Sequence, residues 1–261
     1  MEAEASEVAS RLLSLYGATE LLQVGVVHVT AVARAADGRL RVLKIDASSP
    51  KSESDFFVLN LCRARADAIL TSAANLRAEP ELVSTLLGPA ASALARYRSE
   101  TLGKASPPVC ALMTRGGELP LEHPLWNDGT PKLVLTTPEA QAGVAARLGA
   151  LAEVVALAAL DARVAVAFLR ARGLSLVSIE AGPSVNAALY ATPGQVDELL
   201  LSICEAALPD DALGGALVDD AALFAGLSCV GESARDELSG RWRFQRWVRV
   251  EVSAAVSPGS A

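Results

Sequence analysis

Aromatic residues are scarce in this chain: 5 Phe, 3 Tyr and 3 Trp, or 4% of the total. A pocket that grips a flat heterocycle by stacking has few side chains to draw on. Phe56, Phe57 and Trp126 are the candidates. Histidine is scarcer still, with only His28 and His123. Together with Cys62, Cys110, Cys204 and Cys229 they show no zinc-ligand spacing and no legible catalytic triad. His28 sits in an apolar run and reads as a packed strand residue. His123 precedes Pro124 and reads as a loop residue. The chain opens with Glu2, Glu4 and Glu7 rather than a basic and then apolar stretch, so no secretory leader is expected. In that context four scattered cysteines are expected to be isolated buried thiols rather than disulfides.

No hydrophobic run is long enough for a membrane. A spanning helix needs roughly 20 consecutive apolar residues. The most apolar stretch, 148–172, is interrupted by Glu153, Asp161, Arg163, Arg170 and Arg172. A cytoplasmic protein without membrane partners is expected. A basic excess is lacking too. Lys plus Arg is 23 against 30 Asp plus Glu, a net charge of −7. That argues against nucleic acid as a partner. It leaves room for a local basic pocket that takes a phosphorylated small molecule.

What the chain does hold is 51% hydrophobic residues, much of it Ala, Leu and Val, over 261 residues. That suffices for a sizeable core. Residues 4–16 carry Val8, Leu12, Leu13 and Leu15 at helical spacing, ended by Gly17. β-Branched residues at 24–33 predict a strand, Asp37-Gly38 a turn, and 40–45 a second short strand. Ser52 offers a start signal for a helix over 55–65. Strands are predicted at 68–71, 109–114, 132–136, 154–157, 174–179 and 196–204. Helices are predicted at 81–102, with Gly88-Pro89 as a candidate break, and at 138–148, 161–171 and 183–190. Residues 227–231 and 241–252 read as two last strands with no helix between them. Strands alternating with helices of this length predict an α/β fold with a largely parallel central sheet. The last strands are expected to add antiparallel at one edge. With no repeat or linker, one domain over 1–261 is the reading. Residues 1–20 form an N-terminal helix extension, and 253–261 a flexible tail.

Two strand-to-helix junctions carry small residues: Ser72-Ala73-Ala74-Asn75, and Ala181-Gly182 before Pro183. Free backbone N–H groups and the positive dipole end lie at such helix starts. Open α/β sheets bind ligands at the carboxyl ends of their strands. A dinucleotide pyrophosphate suits two such sites. Asn75 can cap a helix or donate to phosphate, and Arg77 can supply charge. Glu180 ends an apolar strand, which is costly unless the carboxylate is solvated or paired.

Three stretches, in order, resemble one family. They are A-V-A-R-A-A-D-G-R (31–39), F-F-V-L-N-L-C-R-A-R-A-D-A-I-L-T-S-A-A-N-L-R-A-E-P (56–80), and S-L-V-S-I-E-A-G-P-S-V-N-A-A-L followed by V-D-E-L-L-L-S-I (175–203). They are similar to the signatures of the RibD C-terminal family, the reductase of riboflavin biosynthesis. The resemblance implies a dihydrofolate reductase-like three-layer fold and a homodimer. It further implies an NADPH-dependent reductase acting on 5-amino-6-(5-phosphoribosylamino)uracil or a related pterin-like ring. On that resemblance Glu180 matches the family's glutamate before its paired glycines, and Glu79, next to the family's acidic position, is the candidate carboxylate of the catalytic site. Ser72, Asn75, Arg77, Ala181, Gly182 and Pro183 line the cofactor phosphates, with Thr136 and Thr137 at the adenosine 2′-phosphate. Arg39 matches a substrate-binding lysine, beside Asp37; the pair is equally a plain hairpin turn. Ser72 and Ala181 stand where the family has glycine, and Asn75 where it has threonine. The family's acid two before the proline is Ala78 here, with Glu79 beside it. No zinc deaminase half is present. A non-catalytic homodimer of the same fold, or a reductase of another heterocycle, are the alternative readings.

Overall fold

The computed structural model describes residues 2–46, 49–116 and 119–250; the tail expected at 253–261 lies outside these. Strands with apolar residues on both faces need a covering layer on each side. The chain supplies these layers in alternation. It runs α1 (Glu2–Tyr16), β1 (Gly25–Arg34), β2 (Leu40–Leu43), α2 (Glu53–Arg65), β3 (Ala68–Ser72), α3 (Ala73–Ala78) and α4 (Ala91–Arg96). It continues with β4 (Val109–Met113), β5 (Lys132–Thr136), α5 (Pro138–Leu148), β6 (Glu153–Ala156), α6 (Ala162–Ala171), β7 (Leu176–Ile179) and α7 (Pro183–Tyr190). Then follow β8 (Glu198–Cys204), β9 (Leu213–Ala216), α8 (Asp220–Phe224), β10 (Leu227–Glu237) and β11 (Gly240–Arg249).

Among the described residues these strands form one sheet in the order β10-β11-β8-β1-β7-β3-β4-β5-β6, with β2 and β9 extending from β1. From β8 to β6 every neighbour is parallel. β11 joins β8 antiparallel and β10 joins β11 antiparallel, the arrangement expected of the last strands. One face packs Leu70, Val177 and Leu201 against α6 and α7. The other packs Leu12, Phe57, Leu61 and Leu94 from α1, α2 and α4, with Leu76, Val134 and Val144 further along. This is the three-layer α/β fold of dihydrofolate reductase type.

Prolines and caps place several helix starts as expected: Pro138 and Pro183 each open a helix, and Ser52 caps α2 by accepting from Asp55 N–H. Three expectations change. Residues 81–90 are loop, and the helix begins only at Ala91. Side chains from elsewhere take that segment's backbone groups: Asn60 accepts from Leu87 N–H and Arg63 donates to the Thr85 carbonyl. The sequence predicts no helix between residues 71 and 81, yet Ala73–Ala78 form α3, capped by Ser72. Strand β9 and helix α8 are not among the predicted elements, although Asp219 caps α8 by accepting from Ala221 N–H. Gly214 lies so close to β2 that a Cβ there would stand 2.7 Å from Val42. Its glycine therefore serves close approach rather than a turn.

Cys62, Cys110 and Cys204 are buried free thiols, whereas Cys229 is exposed on β10, against the expectation that all four are buried. His28 is a packed strand residue, fully buried, with Nδ1 2.8 Å from the Tyr190 hydroxyl. Burial lowers its pKa to about 3, so the ring is neutral.

Candidate active site at the β3–β7 crevice

The chain leaves β3 toward β4, and leaves β7 toward β8 across β1. β3 and β7 are neighbours, with Leu70 paired to Ile179. Their carboxyl ends therefore form the switch point at which open α/β sheets bind ligands. Both predicted junctions meet there. Ser72 ends β3 and caps α3, its Oγ accepting from Asn75 N–H at 3.4 Å. Glu180 follows β7 and is held to β3 by its N–H to the Leu70 carbonyl at 3.0 Å. Gly182 is the N-cap of α7 and Pro183 its first residue.

Glu180 is paired. Arg63, on the inward face of α2, donates from Nε to both carboxylate oxygens at 3.2 and 3.0 Å, and from Nη2 at 2.8 Å. The two side chains are 5% and 10% exposed. Burial disfavours the Arg63 charge, but the Glu180 carboxylate outweighs it and holds the guanidinium above its usual value. This fork-to-fork pair meets the cost of ending a buried strand with a carboxylate.

Glu79 ends α3 half-buried beside this pair. Burial, and then the negative charge of Glu180, push its carboxyl up to about 7, against the pull of Arg63. His123 holds the segment from the other side. Its Nδ1 accepts from Leu125 N–H at 3.1 Å, so the proton sits on Nε2, which donates to the Glu79 carbonyl at 2.9 Å. Asn75 stands between the two junctions. Its Oδ1 accepts from Gly182 N–H at 3.1 Å and from the Ser72 hydroxyl at 2.9 Å.

Ser72, Asn75, Glu79, Glu180, Ala181, Gly182 and Pro183 are thus brought together. Thr136 ends β5, two strands from β3 in the same sheet, about 10 Å by strand spacing. Its hydroxyl is buried without a partner among the described residues. Thr137 is the N-cap of α5, and its side chain bonds the exposed Glu139. Arg77 is exposed on α3.

Asp37 and Arg39 are not drawn into the cluster by any contact among the described residues. They form the exposed β1–β2 hairpin turn, where the Asp37 carboxylate accepts from Arg39 N–H at 3.0 Å. β1 runs six residues past its last pair with β7, His28 with Ile179, before ending at Arg34. Of the three aromatic candidates, Phe57 and Trp126 belong to the core. Phe56 is 37% exposed and packs over Gly88.

Arg63 and His123 are the site residues that sequence reasoning missed. Arg63 left a partial signal: it follows Leu59 and Asn60 by one helical turn in a largely apolar helix, where a buried cation needs a partner. His123 left none, because its partner, the Glu79 carbonyl, is 44 residues away.

The sheet order, the antiparallel last strands and the paired junctions define a dihydrofolate reductase-like protein whose candidate site lies at the carboxyl ends of β3 and β7. The chain belongs to the RibD C-terminal domain family, whose model matches residues 28–208. Its structure is similar to a pyrimidine reductase-like protein from Corynebacterium diphtheriae (TM-score 0.68, 21% identity, covering 93% of this chain and 99% of that one). It is also similar to a Thermotoga maritima diaminohydroxyphosphoribosylaminopyrimidine deaminase/5-amino-6-(5-phosphoribosylamino)uracil reductase (TM-score 0.58, 15% identity). There the match covers 87% of this chain and 57% of that one. A third similar structure is the Saccharomyces cerevisiae riboflavin biosynthesis reductase Rib7 (TM-score 0.53, 15% identity, covering 93% and 100%). No curated protein sequence matches the chain. Among the described residues no helix is long and apolar enough to cross a membrane.

Proposed function

We propose that the chain is an NADPH-dependent reductase that transfers hydride to a ribosylaminopyrimidine, such as 5-amino-6-(5-phosphoribosylamino)uracil, or to a related ring. The observation that carries this reading is Glu79. It is a half-buried carboxyl with a pKa of about 7, at the carboxyl-end crevice of a reductase-family fold. A carboxyl at that value holds a proton at neutral pH and can release it, as acid–base chemistry on a heterocycle requires. Glu180 has a different part. Its carboxylate is fixed on Arg63, and its charge adds to burial in raising the Glu79 carboxyl.

The residues at the crevice suit a dinucleotide. Gly182 has φ −73, which any residue adopts. A Cβ there would lie 3.3 Å from Asn75 Oδ1, tight but not blocked. Neither backbone nor packing demands glycine, so its value is an open backbone for a phosphate. Ser72, Ala181, Gly182 and Pro183 would hold the pyrophosphate, with Asn75 across them and Arg77 supplying charge. The buried Thr136 hydroxyl and Thr137 would meet the adenosine 2′-phosphate. The nicotinamide supplies the hydride when bound. Arg39, exposed on the hairpin with Asp37, is the proposed cation for a substrate phosphate. A homodimer in the cytoplasm, with a small-molecule substrate, accompanies this reading.

A second reading, a non-catalytic protein of the same fold, draws on Asn75, which already takes the Gly182 N–H. NADPH titration separates the two. A binder gains about 2.7 kcal/mol of stability at a hundredfold excess over Kd, seen as a rise in Tm. Gly182→Asp, which sets a carboxylate against the pyrophosphate, should abolish that rise. No Tm change in the native protein at millimolar NADPH would refute the reductase reading.

A further inference from the structure

The oxygen that faces the Gly182 N–H belongs to the protein itself. Asn75 Oδ1 accepts from that N–H at 3.1 Å and from the Ser72 hydroxyl at 2.9 Å. It also stands 3.3 Å from where a Gly182 Cβ would be. The same oxygen therefore occupies the open backbone face that makes Gly182 approachable. The amide nitrogen is held less tightly. Its two acceptors, the Glu180 carbonyl and Glu79 Oε1, are both at 3.5 Å, beyond the usual range for N–H···O. The side chain is only half-buried, so rotation toward solvent is open to it.

We propose that Asn75 is a latch on the β3–β7 cradle. Its carboxamide oxygen imitates a ligand oxyanion, ties the two junctions together, and must swing out before a phosphate oxygen can reach Gly182 N–H and Ser72 Oγ. The ligand class is a diphosphate ester, and Asn75 sets the affinity with which the cradle takes it. This rests on the reading of the crevice as the cofactor site. The latch lowers affinity because ligand binding breaks two internal hydrogen bonds before it forms its own.

The test uses the full chain and two variants of opposite sign, titrated with NADPH and separately with inorganic pyrophosphate. Amide hydrogen exchange at Gly182 is followed in the absence of ligand. Asn75→Ala should bind both ligands about fivefold more tightly, the equivalent of one net hydrogen bond, with faster Gly182 exchange. Asn75→Asp keeps an oxygen on Gly182 N–H but adds a negative charge. It should keep Gly182 protected and bind both ligands more weakly than the native chain. Equal or weaker binding by Asn75→Ala, or Gly182 exchange as fast in the native chain as in that variant, overturns the latch. Should pyrophosphate bind with the expected order of affinities while NADPH binds to none of the three, the latch stands and the reductase reading falls. Should NADPH bind all three alike, the reductase reading stands and the latch falls. Should neither ligand bind any of them, both are overturned.

Discussion

Replacing Glu79 with glutamine tests the electrostatics of the crevice without needing a substrate. The folded carboxyl titrates at about 7 rather than at its ordinary 4.5, chiefly through burial and then through Glu180. Such a difference corresponds to about 3 kcal/mol. Solvent at a half-buried group reduces it, and about 2 kcal/mol is a fair expectation. The sign follows from which state holds the proton. Below pH 4.5 Glu79 is protonated both folded and unfolded, and the group adds no pH dependence. As pH rises from 4.5 to 7 the unfolded chain ionises while the folded chain keeps its proton. Stability therefore falls through this window and levels off above it. Glutamine cannot ionise, so the variant escapes the loss. Urea unfolding of both proteins at pH 4, 6 and 8 gives the stability difference at each. The difference should move in favour of Glu79→Gln by about 2 kcal/mol between pH 4 and 8. Constant effects of the substitution cancel in that comparison. A difference that stays flat, or moves the other way, would refute the placement of Glu79 beside the Arg63–Glu180 pair.

Two further outcomes can be checked directly. Arg63→Met strands the Glu180 carboxylate in a site where it is 10% exposed. It should cost about 3–5 kcal/mol in urea unfolding, and adding Glu180→Gln should recover much of that. A single-variant cost below about 1 kcal/mol, the size of an exposed pair, would show that the pair is not buried as described. Thiol labelling of the native protein should modify Cys229 rapidly and leave Cys62, Cys110 and Cys204 until the chain is unfolded; fast reaction of a second cysteine would contradict the packing.

The fold was largely legible wherever residues act locally. Pro138 and Pro183 mark helix starts because proline lacks the N–H that a first turn leaves unpaired anyway. The Val-, Leu- and Ala-rich runs mark strands because a parallel sheet is apolar on both faces. Legibility stopped where partners are distant. Residues 81–90 carry Leu82, Leu86 and Leu87 at helical spacing, but Gly88-Pro89 breaks the run, and Asn60 and Arg63 from α2 take backbone groups at Leu87 and Thr85. Strand β10 alternates charged and small residues against solvent on most of its length, so it has little apolar signal past Gly231.

The site divides in the same way. The sequence by itself determined which small residues lie at the two strand-to-helix junctions, and that Glu180 needed either solvent or a partner. Only the tertiary structure decided that the partner is Arg63, 117 residues away. The tertiary structure likewise raised the Glu79 carboxyl to about 7 and set Asn75 across Gly182. A carboxyl's pKa depends on burial and neighbouring charge. Both exist only once the chain has brought α2 and the carboxyl ends of β3 and β7 together.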